Sequence, residues 1–268
     1  MRRRLAAGTA VAIALAVLLA RARGACAQDF ASPAPAAEFG TPAALLERAL
    51  PGARQRASLE LLAIAWDPAA ELSTRALAAL TAWRGLEWSA GWSSTGDGEL
   101  GWNAAAIAIG QASDSHGAGV RALVRRDRAP SPGYGTRAIG AEAGAGFWSA
   151  IGSHGRIWAS APMAFETGEA PPLDRGLETG MSVRVREYSA WGLWSAPAGA
   201  VDAAERTLGV TCEAGLLALW AEARDRPLRG SIGVRARRGA LTVLARVDEH
   251  PLLGETARLS LGFSRAAP

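Results

Sequence analysis

The stretch TARLSLGF, from Thr256 to Phe263, gives the clearest indication of the fold. Its residues alternate strictly between an apolar set and a polar or small set, Ala257, Leu259, Leu261 and Phe263 against Thr256, Arg258, Ser260 and Gly262. Successive side chains of a β-strand point to opposite faces, so this pattern predicts a strand with one apolar and one polar face. We expect Leu259, Leu261 and Phe263 to point to lipid, and Arg258 and Ser260 to point inward. On that basis Ser260→Arg should be tolerated better than Leu261→Arg.

The same period of two recurs from about residue 72 onward, for example over Leu86–Ser93, Met181–Arg186 and Ile232–Arg237. Counting back from the C-terminus, long connections at 248–255, 224–230, 195–205 and 166–176 alternate with tight ones at 238–239, 213–215, 186–188 and 153–155. Long loops on one side and short turns on the other are typical of outer-membrane barrels. The predicted strands of about 9–11 residues suit a tilted membrane crossing.

The sequence therefore predicts an all-β fold, an antiparallel transmembrane β-barrel of about 14 strands, within a range of about 12–14. Fourteen strands result if 134–151 is one long strand and 58–66 is the first. The same number results if the first strand begins near Ser73 and 134–151 splits in two. A short N-terminal, partly helical segment precedes the barrel, with a helix over Thr41–Ala49 that has Thr41 as N-cap and Pro42 in its first turn.

The N-terminus has the features of an export signal. Arg2–Arg4 form a positive region, Leu5–Ala20 an uncharged apolar run, and Ala25-Cys26-Ala27 a small-x-small cleavage site. A retained membrane anchor is the alternative, but the apolar run is shorter than the roughly 20 residues that a spanning helix needs. The expected organisation is a cleaved signal peptide over 1–27, an N-terminal segment over 28–56 that could plug the lumen, and the barrel over 57–268.

Charge and cysteine content limit the function classes. All 29 basic residues are Arg, and five of them precede residue 28, which leaves 24 against 25 acidic residues. The mature chain would be nearly neutral, so the formal charge of +4 for the whole chain gives no support for nucleic-acid binding. Cys26 would leave with the signal, and Cys212 alone forms no internal disulfide.

The aromatic residues favour two girdles at the edges of a membrane. One predicted set lies near tight turns or the C-terminus and comprises Trp83, Trp88, Trp158, Tyr188 and Phe263. The other lies near long loops and comprises Trp66, Trp102, Tyr134, Phe165 and Trp194. The alternative is that the Trp residues fill the core of a β-sandwich.

The segment Trp66-Asp67-Pro68-Ala69-Ala70 resembles the Trp-Asn-Pro-Ala-Gly segment at the start of FadL-like and PorV-like barrels. Asp67 replaces the Asn of that motif, and Ala70 replaces the Gly. The resemblance implies a 14-stranded barrel whose N-terminal segment folds into the lumen, with Asp67–Ala69 in the plug. It also implies a role in hydrophobic transport or in secretion.

The sequence offers little for catalysis. His116, His154 and His250 each lie in a predicted turn. In an extended chain the adjacent Ser115 and Ser153 would point away from their His neighbours, so we expect no Ser-His pair and no enzyme. No His pair has short spacing and no Cys pair survives export, so neither a metal site nor a cofactor is expected.

Arginines on the polar faces are the candidate lumen-lining residues. They comprise Arg121, Arg125, Arg184, Arg186, Arg235, Arg237, Arg246 and Arg258, with Arg224 on the same side. Glu222 and Asp248 are the clearest acids there. Rings of Arg in a pore favour anions, so an open lumen should be anion-selective. The alternative is a packed interior in which Arg pairs with acids, for which Glu47, Glu60 and Glu71 are available.

The leading functional hypothesis is a passive channel or transporter for small solutes in the outer membrane. The second is a non-catalytic structural or assembly component of an envelope or secretion complex, and the third is a soluble periplasmic β-rich binding protein. Expected partners are outer-membrane lipid, the barrel-assembly machinery and envelope proteins, and no nucleic acid.

Overall fold

Fourteen antiparallel strands close into a barrel in the computed structural model of the chain. The structure describes Phe30 and residues 34–35, 37–52, 55–66, 73–96, 101–128, 138–165, 176–196, 204–226, 228–250 and 254–266. The described elements are the helix α1 (Pro42–Arg48) and the strands β1 (Gln55–Trp66), β2 (Thr74–Trp83), β3 (Leu86–Gly96), β4 (Gly101–Ala112), β5 (His116–Arg128), β6 (Ala138–Ile151), β7 (Gly155–Phe165), β8 (Leu177–Val185), β9 (Tyr188–Ala196), β10 (Glu205–Ala214), β11 (Leu217–Asp225), β12 (Leu228–Arg238), β13 (Leu241–His250) and β14 (Gly254–Ala266).

Each strand pairs with its neighbours in sequence, and β14 pairs with β1 to close the ring. The predicted fold class is therefore confirmed. The first counting scheme is the right one, because β6 is a single strand of 14 residues and β1 precedes Ser73. The strands are 9 to 14 residues long, so several exceed the predicted length.

The two ends of the barrel differ in their connections. At one end, the turn end, six connections of two or three residues join consecutive strands. Arg84 and Gly85 both have positive φ, 52° and 78°, as a two-residue type I′ hairpin turn requires. At the opposite end, the loop end, connections reach eleven residues between β7 and β8. The predicted long loop at 224–230 is wrong, because Asp225 pairs with Leu228 and only two residues separate β11 from β12.

The alternation along the strands separates an apolar outer face from an inner face that is polar, small or aromatic. Large apolar side chains such as Leu208 and Ile232 are exposed on the outside, at 69% and 65%. In β14, Leu259 and Phe263 point outward, whereas Ser260 is fully buried inside. The predicted facing of the last strand is confirmed, and the relative tolerance of Ser260→Arg and Leu261→Arg stays a prediction.

The described N-terminal segment lies inside the barrel. Its helix α1 contacts the inner wall from β1 to β7. Trp66 is the last residue of β1. Asp67–Ala69, which the resemblance places in the plug, lie outside the described residues. No described helix is long and apolar enough to cross a membrane.

Candidate functional site: the barrel interior

The local sequence around α1 makes a short helix that is closed at both ends. Thr41 is extended, and its hydroxyl accepts a hydrogen bond from Ala44 N at 3.1 Å. Pro42 occupies the first turn, where its missing N–H costs nothing. Ala49 adopts the left-handed conformation and donates its N–H to Leu45 O at 3.0 Å. The predicted helix and its N-cap are confirmed.

The helix packs against one half of the inner wall, β1–β7, which we call the packed half. The cluster that includes it is fully or almost fully buried and consists of Phe30, Ala43, Leu45 and Leu46 with the wall residues Leu62, Ala76, Ala78, Leu80, Ala104, Ala106, Ala108 and Leu123. Five of these eight wall residues are Ala, so the wall leaves room for a helix.

Two wall carboxylates bind backbone N–H groups of the N-terminal segment. Glu60 Oε2 accepts from Ala43 N at 3.2 Å, and its other oxygen accepts from the Ser260 hydroxyl at 2.7 Å. Glu87 Oε2 accepts from Gly52 N at 2.9 Å. Buried charge needs such partners, so both side chains hold the segment rather than an Arg. The expectation that Glu60 pairs with an Arg is wrong.

Wall donors bind backbone carbonyls of the same segment. The hydroxyl of Ser89 donates to Pro42 O at 3.1 Å, and that of Ser160 donates to Arg48 O at 2.7 Å. Trp148 Nε1 donates to Pro51 O at 2.7 Å. Because these bonds lie on strands from β3 to β7, the segment is held along its length. The sequence signal for these contacts is an isolated polar residue on an inner face that is otherwise mostly small or apolar.

Glycine allows the closest approach. A Cβ at Gly119 would lie 2.6 Å from the carbonyl oxygen of Ala49, and one at Gly146 would overlap the carbonyl oxygen of Arg48. Both positions lie on the inner face of adjacent strands, β5 and β6. The wall therefore fits the backbone of the segment just after α1.

The packed half contains two of the predicted lumen arginines, Arg121 and Arg125, both on β5. Arg121 forms a buried ion pair with Glu142 on the adjacent strand, and its Nη1 donates to Leu46 O at 3.4 Å. The two side chains are 2% and 1% exposed. Arg121 therefore supports the segment and does not line open space.

Tryptophans on the inner wall lie flat over glycines of neighbouring strands. Trp158 covers Gly180, Trp191 covers Gly209 and Trp220 covers Gly233, and each pair is directly opposite in register. A Cβ on any of these glycines would collide with the indole ring. With Leu50, Ala34 and Leu244 these rings form a buried apolar layer, which we call the tryptophan layer.

Beyond this layer, toward the loop end, ion pairs link seven charged side chains of β10–β14, which we call the loop-end charge cluster. It comprises Glu205, Glu222, Arg224, Arg229, Arg246, Asp248 and Arg258. Arg246 lies 2.6 Å from both Glu222 and Asp248, and Asp248 lies 3.0 Å from Arg258. Four Arg against three acids give the cluster a formal charge of +1.

On the other side of the layer, at the turn end, an open cavity of about 810 Å³ forms a vestibule. Phe39, Trp191, Trp220 and Leu244 lie on its apolar side, and Arg156, Arg184, Arg235 and Arg237 supply its positive charge. Arg235 bridges Glu38 at 2.5 Å and Glu213 at 2.8 Å, and Arg184 lies 2.5 Å from Glu213. The guanidinium of Arg156 lies over the rings of Trp148 and Phe39.

The structure places most of the predicted lumen arginines on the inner face. These are Arg121, Arg125, Arg184, Arg235, Arg237, Arg246 and Arg258, and Arg125 stacks over the Trp102 ring at 4.7 Å. Arg186 is the exception, because it forms the β8–β9 turn with a φ of 54°. Acids of the wall and Glu38 pair with Arg121, Arg184, Arg235, Arg246 and Arg258. Glu71 lies outside the described residues.

The predicted girdle residues divide into two groups. Trp83, Trp88, Tyr188, Trp194 and Phe263 lie on the outer face. Trp158 and Trp102 face inward, so their assignment to a girdle is wrong. Alternation alone does not distinguish inward from outward Trp, and Trp158 has space inside because its cross-strand partner is Gly180. Tyr134 and the side chains of Trp66 and Phe165 lie outside the described residues.

The Ser-His neighbours do meet, contrary to the expectation. Ser153 Oγ lies 2.6 Å from His154 Nδ1, and Ser115 Oγ lies 3.0 Å from His116 Nδ1. Both pairs lie in exposed turns, where the backbone reverses and neighbouring side chains are not on opposite faces. Within the described residues no group of three or more His, Cys, Asp or Glu could hold a metal ion.

Comparison with known proteins gives similarity only at the level of shape. No family model matches the chain, and no curated protein matches it. A mutant of the porin from Rh. blastica aligns at 11% identity and a TM-score of 0.44, covering 79% of this chain and 99% of that one. A triple mutant named as Rhodopseudomonas blastica porin aligns at 11% identity and a TM-score of 0.43 over the same shares. At this identity no residue role is transferred to this chain.

Proposed function

We propose that the protein is an outer-membrane channel for small solutes and that its conduit follows β8–β14, which we call the charged half. The difference between the two halves of the interior carries this proposal. The wall residues that pack on α1 are at most 7% exposed. Arg224, Arg235 and Arg184 on the charged half are 23%, 20% and 61% exposed as side chains. A pore that runs along one side of a partly filled barrel needs solvent-exposed charged side chains on that side.

The outer surface supports a membrane setting. Leu, Ile, Val and Met side chains are exposed around the barrel, among them Leu59 on β1, Met181 on β8 and Leu219 on β11. A soluble protein rarely exposes apolar surface on this scale, which disfavours the soluble binding protein. Insertion would depend on outer-membrane lipid and the barrel-assembly machinery. N-terminal sequencing of the outer-membrane fraction should find a start near Gln28, and full-length protein in the cytoplasm would contradict this.

The charges favour a polar, anionic solute. The loop-end charge cluster has one excess Arg, and the vestibule has four Arg with four acids, Glu38, Glu60, Glu213 and Asp114. In a narrow pore such an excess attracts anions and repels cations. The charged wall fits this class better than the hydrophobic cargo that the resemblance to FadL-like barrels implies.

The tryptophan layer would limit the conductance. It separates the vestibule from the loop-end charge cluster, and Trp191, Trp220 and Leu244 are each 4% exposed. Apolar constrictions limit flow by excluding water. We therefore expect a small conductance in planar bilayers, with anions preferred in reversal potentials under a salt gradient.

A matched pair of variants tests the route. Leu244 and Leu80 are both buried on the inner wall, at 4% and 3%, but on opposite halves. Leu244→Ala should raise the single-channel conductance, whereas Leu80→Ala should lower the stability and leave the conductance unchanged. Equal effects on conductance would contradict a conduit along the charged half.

A structural or assembly component is the second candidate, and the hydrogen bonds that hold the N-terminal segment favour it. Two carboxylates, two hydroxyls and one indole bind that segment. If neither the native protein nor Leu244→Ala conducts, although both migrate as folded barrels in heat-modifiability assays, this role replaces the channel.

A further inference from the structure

We propose that the vestibule binds a small aromatic carboxylate, an inference that deepens the proposed channel by naming a solute class. The vestibule combines an aromatic side with a cationic side in one open cavity. Its volume of about 810 Å³ lies within the range of roughly 300–1,000 Å³ that is usual for small-molecule sites. A bicyclic aromatic acid fits both the volume and the chemistry.

The aromatic side is preformed. Trp191 and Trp220 are fixed against Gly209 and Gly233 by contact, and Leu244 lies in the same buried cluster. Phe39 comes from the N-terminal segment and meets Trp158 edge-on, with ring centroids 5.3 Å apart. Because these groups are already held in place, a planar apolar body loses little free energy to ordering the site.

The cationic side retains capacity for an anion. Glu213 is shared by Arg184 and Arg235, and Glu38 also binds Arg235. Arg237 lines the same cavity and has no ion pair with any residue that the structure describes. Arg184 is 61% exposed even while paired. A carboxylate at Arg237 would therefore gain a charge-assisted hydrogen bond without displacing an acid that the structure describes there.

The acids in the cavity limit the charge of the ligand. Asp114 and Glu60 also line it, but the Glu60 carboxylate is occupied by Ala43 N and Ser260. Four arginines face four carboxylates, those of Glu38, Glu60, Glu213 and Asp114, so the formal charges of the cavity balance. A monoanion at Arg237 would meet a cation that has no ion pair with a described residue, whereas a polyanion would meet repulsion from these carboxylates.

Isothermal titration of the detergent-solubilised protein with naphthoate tests the site. Naphthalenemethanol tests the apolar body alone, and acetate tests the charge alone. Naphthoate should bind measurably, and each of the other two should bind at least about tenfold more weakly, since body and charge contribute together. The same titration should show no binding of a naphthyl ammonium ion.

Arg237 and Arg238 provide the matched variants. They are adjacent in β12, so their side chains point to opposite faces, and both changes remove the same charge. Arg237→Ser should weaken naphthoate binding about tenfold, whereas Arg238→Ser should leave it unchanged. Heat-modifiable migration shows that both variants are folded.

Three outcomes would overturn the proposal: no naphthoate binding by the folded native protein, equal binding of naphthalenemethanol, or equal loss in the two Arg variants. Conductance is measured separately, so the two proposals can fail independently. Binding without conductance supports the site and contradicts the channel. Conductance without binding supports the channel and contradicts the site.

Discussion

The two halves of the barrel interior have the same backbone arrangement but contain different side chains. The packed half presents Ala76, Ala78 and Ala106, together with glycines that meet the backbone of the N-terminal segment. The charged half presents Arg, Glu and Trp, of which Arg246 and Glu222 are the most buried ion pair. Small residues permit a helix to approach closely, whereas long charged side chains fill space and hold water. The size of inward residues therefore distinguishes a wall that packs from a wall that could conduct.

The first test breaks the packed half and has the largest expected effect. Leu46 is fully buried, and its side chain lies against Gly91 of β3. Leu46→Arg places an unpaired charge there, at a cost of several kcal/mol, so α1 should leave the wall. The N-terminal segment should become sensitive to protease, and the conductance should rise. Leu46→Met is the control and should change neither, and a protected segment in Leu46→Arg would contradict the packing described.

Period-two alternation was sufficient to predict the barrel class and the facing of β14. Alternation did not give the facing of Trp158 and Trp102. Both point inward, but an apolar residue in an alternating pattern is expected to point outward. Alternation also failed at the end of β11, where the charged residues Arg224 and Asp225 continue the strand and were taken for a loop.

The candidate site was only partly predictable, since its partners are distant in sequence. The inward facing of the arginines could be predicted from the alternation of polar and apolar residues along each strand. Which acid each Arg meets depends on register, as when Arg246 of β13 reaches Glu222 of β11. Glu60 and Glu87 hold the N-terminal segment through Ala43 N and Gly52 N, and no local pattern shows which wall residues this segment meets.

The second test compares the outside of the barrel with the vestibule. Met181 lies in the middle of β8 and is 57% exposed, and the next residue, Ser182, lines the vestibule. Met181→Arg should destabilise the inserted barrel by about 2–4 kcal/mol, because the charge faces lipid. Ser182→Arg should cost less than about 1 kcal/mol, because its charge reaches water. Heat-modifiable migration and denaturant unfolding in lipid vesicles measure both, and equal losses would mean that β8 has no lipid face.

The third test isolates one hydrogen bond of the packed half. Ser160 donates to Arg48 O at 2.7 Å, whereas Ser189 faces the open vestibule. Ser160→Ala should lower the free energy of unfolding by about 1 kcal/mol, the usual net value of such a bond. Ser189→Ala should change it by less than about 0.5 kcal/mol. Denaturant titration separates the two, and an unchanged Ser160→Ala would show that this contact does not hold the segment.

The last and smallest effect concerns selectivity in the charged half. Arg258→Gln removes the excess positive charge of the loop-end charge cluster, and Glu205→Gln doubles it to +2. These side chains are 13% and 16% exposed, so mobile ions screen them in part. The anion-to-cation permeability ratio should therefore fall about twofold in Arg258→Gln and rise about twofold in Glu205→Gln. Arg126→Gln removes an outward-facing charge near the same end and should leave the ratio unchanged. A shift in the same direction in both cluster variants would assign the effect to altered packing, because only a charge effect reverses sign between them.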